Sequence, residues 1–205
     1  MTIFQLIMLA TAAFFAYQVY VHIQNIGEDE EPESMREMDE IDVAQLNSAV
    51  SEQEEAAQFS ERIEEADKSY VDGDIQKAKE LLEGIVKDFP TMAEGMNKLA
   101  FILSKLGEKD DALLYYRSSL RIDANDDMTH NAIARLLSSM NKMQEAEEHY
   151  KAAVKIDDND ETTWFNYASL MISLEKIDEA KQMLQRALTI DPSFEEAKAE
   201  LERLV

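Results

Sequence analysis

Cysteine is absent from the 205-residue chain, so neither a disulfide framework nor thiolate chemistry is open to it. Glycine and proline are scarce, at 5 and 3 residues, which suits a nearly all-helical chain. Basic residues are outnumbered: 20 Lys and Arg face 43 Asp and Glu, for a formal charge of -23. A phosphate backbone is held by clusters of Lys and Arg, so this balance argues against nucleic acid as the main ligand. The sequence contains no glycine-rich phosphate loop, no nucleophile elbow and no cluster of acid, base and nucleophile. It reads as a non-enzyme with no cofactor.

What it does contain is a repeat of 34 residues. Ala78, Ala112, Ala146 and Ala180 stand one interval apart, and so do Ala66, Ala100, Ala134 and Ala168. Small residues kept in phase at this period predict stacked helical hairpins, each too small to bury its apolar face alone. The copies fall at 59–92, 93–126, 127–160 and 161–194. Gly73, Gly107 and Asn141 mark the tight turn inside the first three, since Gly and Asn tolerate the left-handed backbone that ends a helix. The fourth has Glu175 at that place. Polar clusters at Asn125–Asp127 and Asn159–Glu161 are helix starters between copies. Residues 195–205 place Ala197, Leu201 and Leu204 on one face and predict a capping helix.

The repeats are preceded by three segments. Residues 3–23, IFQLIMLATAAFFAYQVYVHI, carry no formal charge. About 20 helical residues span ~30 Å, the thickness of a bilayer core. Residues 1–26 are therefore expected to be an uncleaved single-pass anchor. A cleaved signal peptide fits less well, because no basic region precedes the apolar run. Arg36 alone follows the segment closely, and basic residues mark the cytoplasmic side. The expectation is a bacterial-type inner membrane with the large domain in the periplasm; the cytoplasmic side is the alternative. Residues 27–40, with eight acids in fourteen, read as a hydrated linker. Residues 41–58 carry Val43, Leu46, Val50 and Ala57 on one face and predict an amphipathic helix running towards the first repeat.

These units resemble tetratricopeptide repeats. The fourth copy carries the pattern best, with Trp164, Tyr167, Ala168, Ala180, Leu184, Ala187 and Pro192. The second supplies Met96, Leu99, Ala100, Leu103, Ala112 and Tyr116; the third supplies His130, Ile133, Ala134, Leu137, Ala146 and Tyr150. In the first, Arg62 and Glu65 replace expected bulk, as suits a terminal unit facing solvent. The resemblance implies an all-α solenoid of four helical hairpins with a capping helix, preceded by the anchor. It also implies that the first helix of each hairpin lines a concave binding surface.

On those first helices, side chains one interval apart form rows. Asn97, Asn131 and Phe165 make the first; Phe101, Arg135 and Ser169 the second; Lys105, Ser139 and Ser173 the third. The face is expected to be the least negative part of the molecule. Paired Asn amides suit an extended peptide backbone, and Lys105 and Arg135 suit an acidic segment. No metal is expected. Asp123, Asn125 and Asp127 begin like a calcium loop, but Met128 stands where its glycine is required. His130 occupies a core-type aromatic position, and His149 has no partner ligand at fixed spacing. The functional expectation is a membrane-anchored module that binds a protein segment, extended or helical, for complex assembly or chaperone-like holding. A self-associating structural scaffold at the membrane is the alternative.

Overall fold

The computed structural model describes residues 15–19 and 33–204, in two units that divide between Glu54 and Glu55. In the first unit residues 15–19 are helical, with Phe15, Tyr17 and Val19 exposed. Apart from these five residues, the apolar run 3–23 lies outside the described residues. Among the described residues no helix is long and apolar enough to cross a membrane.

Helix α1, Glu33–Val71, starts inside the stretch read as a linker. The physical reason is local. Glu is a good helix former, and a helix start needs no more than a run of such residues. The same helix runs without a break through the expected amphipathic segment into the first repeat.

The second unit continues with α2 (Ile75–Asp88), α3 (Ala93–Leu106), α4 (Lys109–Ile122), α5 (Asp127–Ser139), α6 (Met143–Ile156), α7 (Glu161–Ser173), α8 (Ile177–Ile190) and α9 (Glu195–Arg203). It is an all-helical solenoid of hairpins; among the described residues there is no strand. Six of the eight in-phase alanines, on α3 through α8, and Ala78 on α2 are fully buried, and Ala66 is 1% exposed. With only a methyl to accommodate, the two helix backbones of a hairpin approach closely. Leu99, Ile133, Leu137, Met171 and Leu184 fill the space around the contact.

The turns inside the hairpins repeat one geometry. Gly73, Gly107, Asn141 and Glu175 all have positive φ, at 87°, 84°, 61° and 60°. In each, the next residue's N–H reaches back to a carbonyl of the last turn, as from Lys142 to Leu137 and Lys176 to Met171, both at 2.9 Å. Between hairpins, Asp126 and Asp160 cap α5 and α7 by accepting from the N–H groups of Thr129 and Thr163. The first hairpin closes differently at its outer edge. Arg62 pairs with Asp88 at 2.6 Å and lays its guanidinium over Phe89, 5.4 Å from the ring centre.

Candidate binding groove

The first helix of each hairpin turns one face away from its partner helix. Two adjoining cavities open along that face. The larger, about 410 Å³, is walled by Tyr70 of α1, Phe101 of α3 and Met128 of α5, with Leu82 and Ile102 behind them. Tyr70 and Phe101 meet edge to face at 5.5 Å, and Met128 is 75% exposed.

Asn97 also lines this cavity, and its orientation is set by its neighbour. Its Nδ2 donates to Asp126 Oδ2 at 3.0 Å, while Asp126 is itself held by the N–H and hydroxyl of Thr129. That leaves Asn97 Oδ1 buried with no partner among the described residues. A buried acceptor without a donor costs about 1–3 kcal/mol. Asp67, the other acid on the lining, is neutralised by Lys98 at 2.9 Å.

The second cavity, about 350 Å³, shares Phe101 and Tyr116 with the first. Its lining includes Lys105, Lys109 and Arg135 and no carboxylate. Lys105 lies over the Phe101 ring at 5.1 Å, and Lys109 donates to the carbonyl of Ser139 at 3.0 Å. Arg135 is exposed and has no carboxylate partner among the described residues. It stands near both Tyr116 and Tyr150. Burial pushes the Tyr116 hydroxyl up to about 12 and Tyr150 up as well, and the Arg135 charge opposes both shifts. These hydroxyls therefore remain neutral donors at the foot of the groove.

A third recess, about 210 Å³, joins Arg135 to Ser169, Ser173 and Asn166. Its serines are already committed as donors: Ser169 to the carbonyl of Phe165 at 3.0 Å, Ser173 to that of Ser169 at 2.9 Å. They offer a ligand lone pairs only.

The predicted rows are thus partly assembled. Asn97, Phe101, Lys105 and Arg135 line two cavities that share a wall, and Ser169 joins through Arg135. Phe165 does not extend the groove: it packs against Phe194, ring centres 5.1 Å apart, and so belongs to the seam with the last helix. Asn131 lines none of these cavities; its Oδ1 accepts from Asn166 Nδ2 at 3.2 Å. Tyr70, Asp126, Tyr116 and Lys109 were missed. Tyr116 and Lys109 lie on second helices, which the row argument did not search. Asp126 was visible only as a helix cap.

Family models for the tetratricopeptide repeat match residues 93–126 and 137–204. These stretches are tetratricopeptide repeats. No curated protein matches the sequence. Among solved structures, MamA residues 41-end from Desulfovibrio magneticus RS-1 are similar, with a TM-score of 0.64 and 15% identity over 71% of this chain and 82% of that one. PilF of Pseudomonas aeruginosa gives a TM-score of 0.69 and 18% identity over 73% and 68% of the two chains. YrrB, described as a TPR protein with an unusual peptide-binding site, gives 0.60 and 20% over 67% and 71%. At these identities the likeness is one of fold.

Proposed function

We propose that this chain is a membrane-tethered interaction module whose groove holds an extended, acidic segment of a partner protein, for complex assembly or chaperone-like holding. One observation carries the reading. A chain of formal charge -23 keeps Lys105, Lys109 and Arg135 together on one cavity without a single carboxylate among them. A guanidinium with no carboxylate partner among the described residues, in so acidic a molecule, is complementary to a carboxylate supplied from outside. The apolar cavity beside it would take a bulky side chain of the same segment. The tetratricopeptide fold is a general carrier of protein–protein contacts, and the YrrB description mentions a peptide site.

The tether in this reading is residues 3–23, with the repeats on the periplasmic side of a bacterial inner membrane. Because the chain has no cysteine, one introduced by Lys181→Cys would report topology cleanly through an impermeant maleimide. Labelling only after lysis would reject the periplasmic placement. The groove is tested by a photoreactive side chain at Phe101 in the full-length membrane-bound protein. The expected result is capture of one partner at an acidic segment, lost on Arg135→Glu. Capture that is indifferent to Arg135→Glu would reject the acidic specificity.

A further inference from the structure

His130 and His149 are 19 residues apart in sequence and on different helices, yet their Nδ1 atoms are 2.9 Å apart. The rings lie 5.1 Å centre to centre, across the seam between α5 and α6. Both are partly buried. The neighbouring hairpins show what this seam ordinarily holds. One interval away from His130 stand Met96 and Trp164, and one interval away from His149 stand Tyr115 and Met183. Among the described residues, only the third hairpin places two imidazoles across this seam, their rings tilted by 40°.

A neutral imidazole has one donor and one acceptor nitrogen, whereas an imidazolium has two donors. A hydrogen bond between two Nδ1 atoms therefore needs at least one neutral ring. Protonating both converts the contact into a like-charge repulsion at the same distance. The surroundings offer little relief. Arg117 of α4 adds a positive charge next to His149, and Glu145 of α6, which faces it with the opposite sign, is already paired with Arg117 at 3.1 Å.

We propose that the His130–His149 contact is an acid-sensitive latch that holds the two helices of the third hairpin together and opens when both rings are protonated. The consequence reaches the groove through α5, which carries Thr129 directly before His130 and Arg135 five residues after it. Burial, with the His130 and Arg117 charges acting the same way, pushes His149 down from 6.5 to about 4. The sign follows. The unfolded chain takes up a proton at His149 below pH 6.5 that the folded chain refuses until about pH 4, so stability is complete above 6.5 and falls across that window.

The test is urea unfolding of the full-length chain at pH 7 and pH 5, beside His149→Met, the side chain that the fourth hairpin uses. Between these pH values the wild-type folding equilibrium should fall about twentyfold more than that of the variant, since all other titrating groups are common to both. Amide exchange, corrected for intrinsic rates, should place the extra opening in α5 and α6. Equal losses in the two proteins would overturn the latch. So would NMR of the wild-type His149 ring titrating at its ordinary value, a measurement that stands even if the variant does not fold.

Discussion

Ile85 and Gly95 fit as a large and a small residue sharing one space: a Cβ placed on Gly95 would meet Ile85 Cγ2 at 3.2 Å and Phe59 Cε2 at 3.5 Å. Ile85 is fully buried on α2, and Gly95 is buried on the next first helix, α3. One, two and three intervals on, the same two positions are Ser119 with Thr129, Ala153 with Thr163, and Ala187 with Ala197, all buried to within 2%. Where the earlier residue is bulky, the later one vanishes. Gly95→Ala should therefore lose stability in the native background, by up to about 2 kcal/mol, because overpacking outweighs the gain in helix propensity. In an Ile85→Ala background the same change should gain about 1 kcal/mol, for there the propensity acts alone. Urea midpoints for the four proteins close the cycle, and additivity would reject the coupling.

Glu175 sits at φ 60°, in the backbone region its three counterparts fill with Gly or Asn. It is exposed. A side chain with a Cβ costs ~1–2 kcal/mol there, so Glu175→Gly should stabilise the fourth hairpin by about 1 kcal/mol and leave the others unchanged. Gly107→Ala, at φ 84°, should cost a similar amount. Thermal unfolding with local amide exchange measures both; a loss from Glu175→Gly would show that the carboxylate has another structural task.

This turn also shows what the sequence could disclose. Alanine phase placed the hairpins, because backbone approach depends on side-chain size alone and size is written in one letter. The left-handed position could be read in three copies from Gly and Asn and had to be inferred in the fourth. The groove was less legible. Rows at one interval located Asn97, Phe101 and Arg135, since matched residues of like helices share a face. They could not foresee that Phe165 would turn to Phe194, a residue of the irregular end where the period stops. Nor could they foresee the contact of His130 with His149. That meeting lies across a hairpin, and no spacing rule written for one helix covers it.

Tyr116 gives a prediction in the alkaline range. Its hydroxyl, pushed up to about 12 chiefly by burial, ionises in the unfolded chain near 10 while the folded chain still holds the proton. Stability is therefore intact below pH 10 and is lost as the pH rises towards 12, by up to about 3 kcal/mol. Tyr116→Phe should remove that part of the alkaline loss. Its check is the difference between wild-type and variant urea midpoints at pH 8 and pH 11. Indistinguishable differences would mean that Tyr116 is better solvated than its 5% exposure implies.

Arg135 separates the proposed acidic specificity from mere groove shape. It is exposed and lacks a carboxylate partner among the described residues, so Arg135→Ala should change stability by no more than about 0.5 kcal/mol. Binding of a captured acidic segment should nevertheless weaken about tenfold or more, the measure of one charge-assisted hydrogen bond at roughly 1.5–3 kcal/mol. Its salt dependence should flatten at the same time, because exposed charges are screened. Asn97→Ala should weaken the same segment without altering that salt dependence, since an amide contributes hydrogen bonds and no net charge. Fluorescence anisotropy over a salt series distinguishes the two. If Arg135→Ala kept the full slope, the attraction would arise elsewhere on the surface; if Asn97→Ala had no effect at any salt, its amide would not touch the ligand.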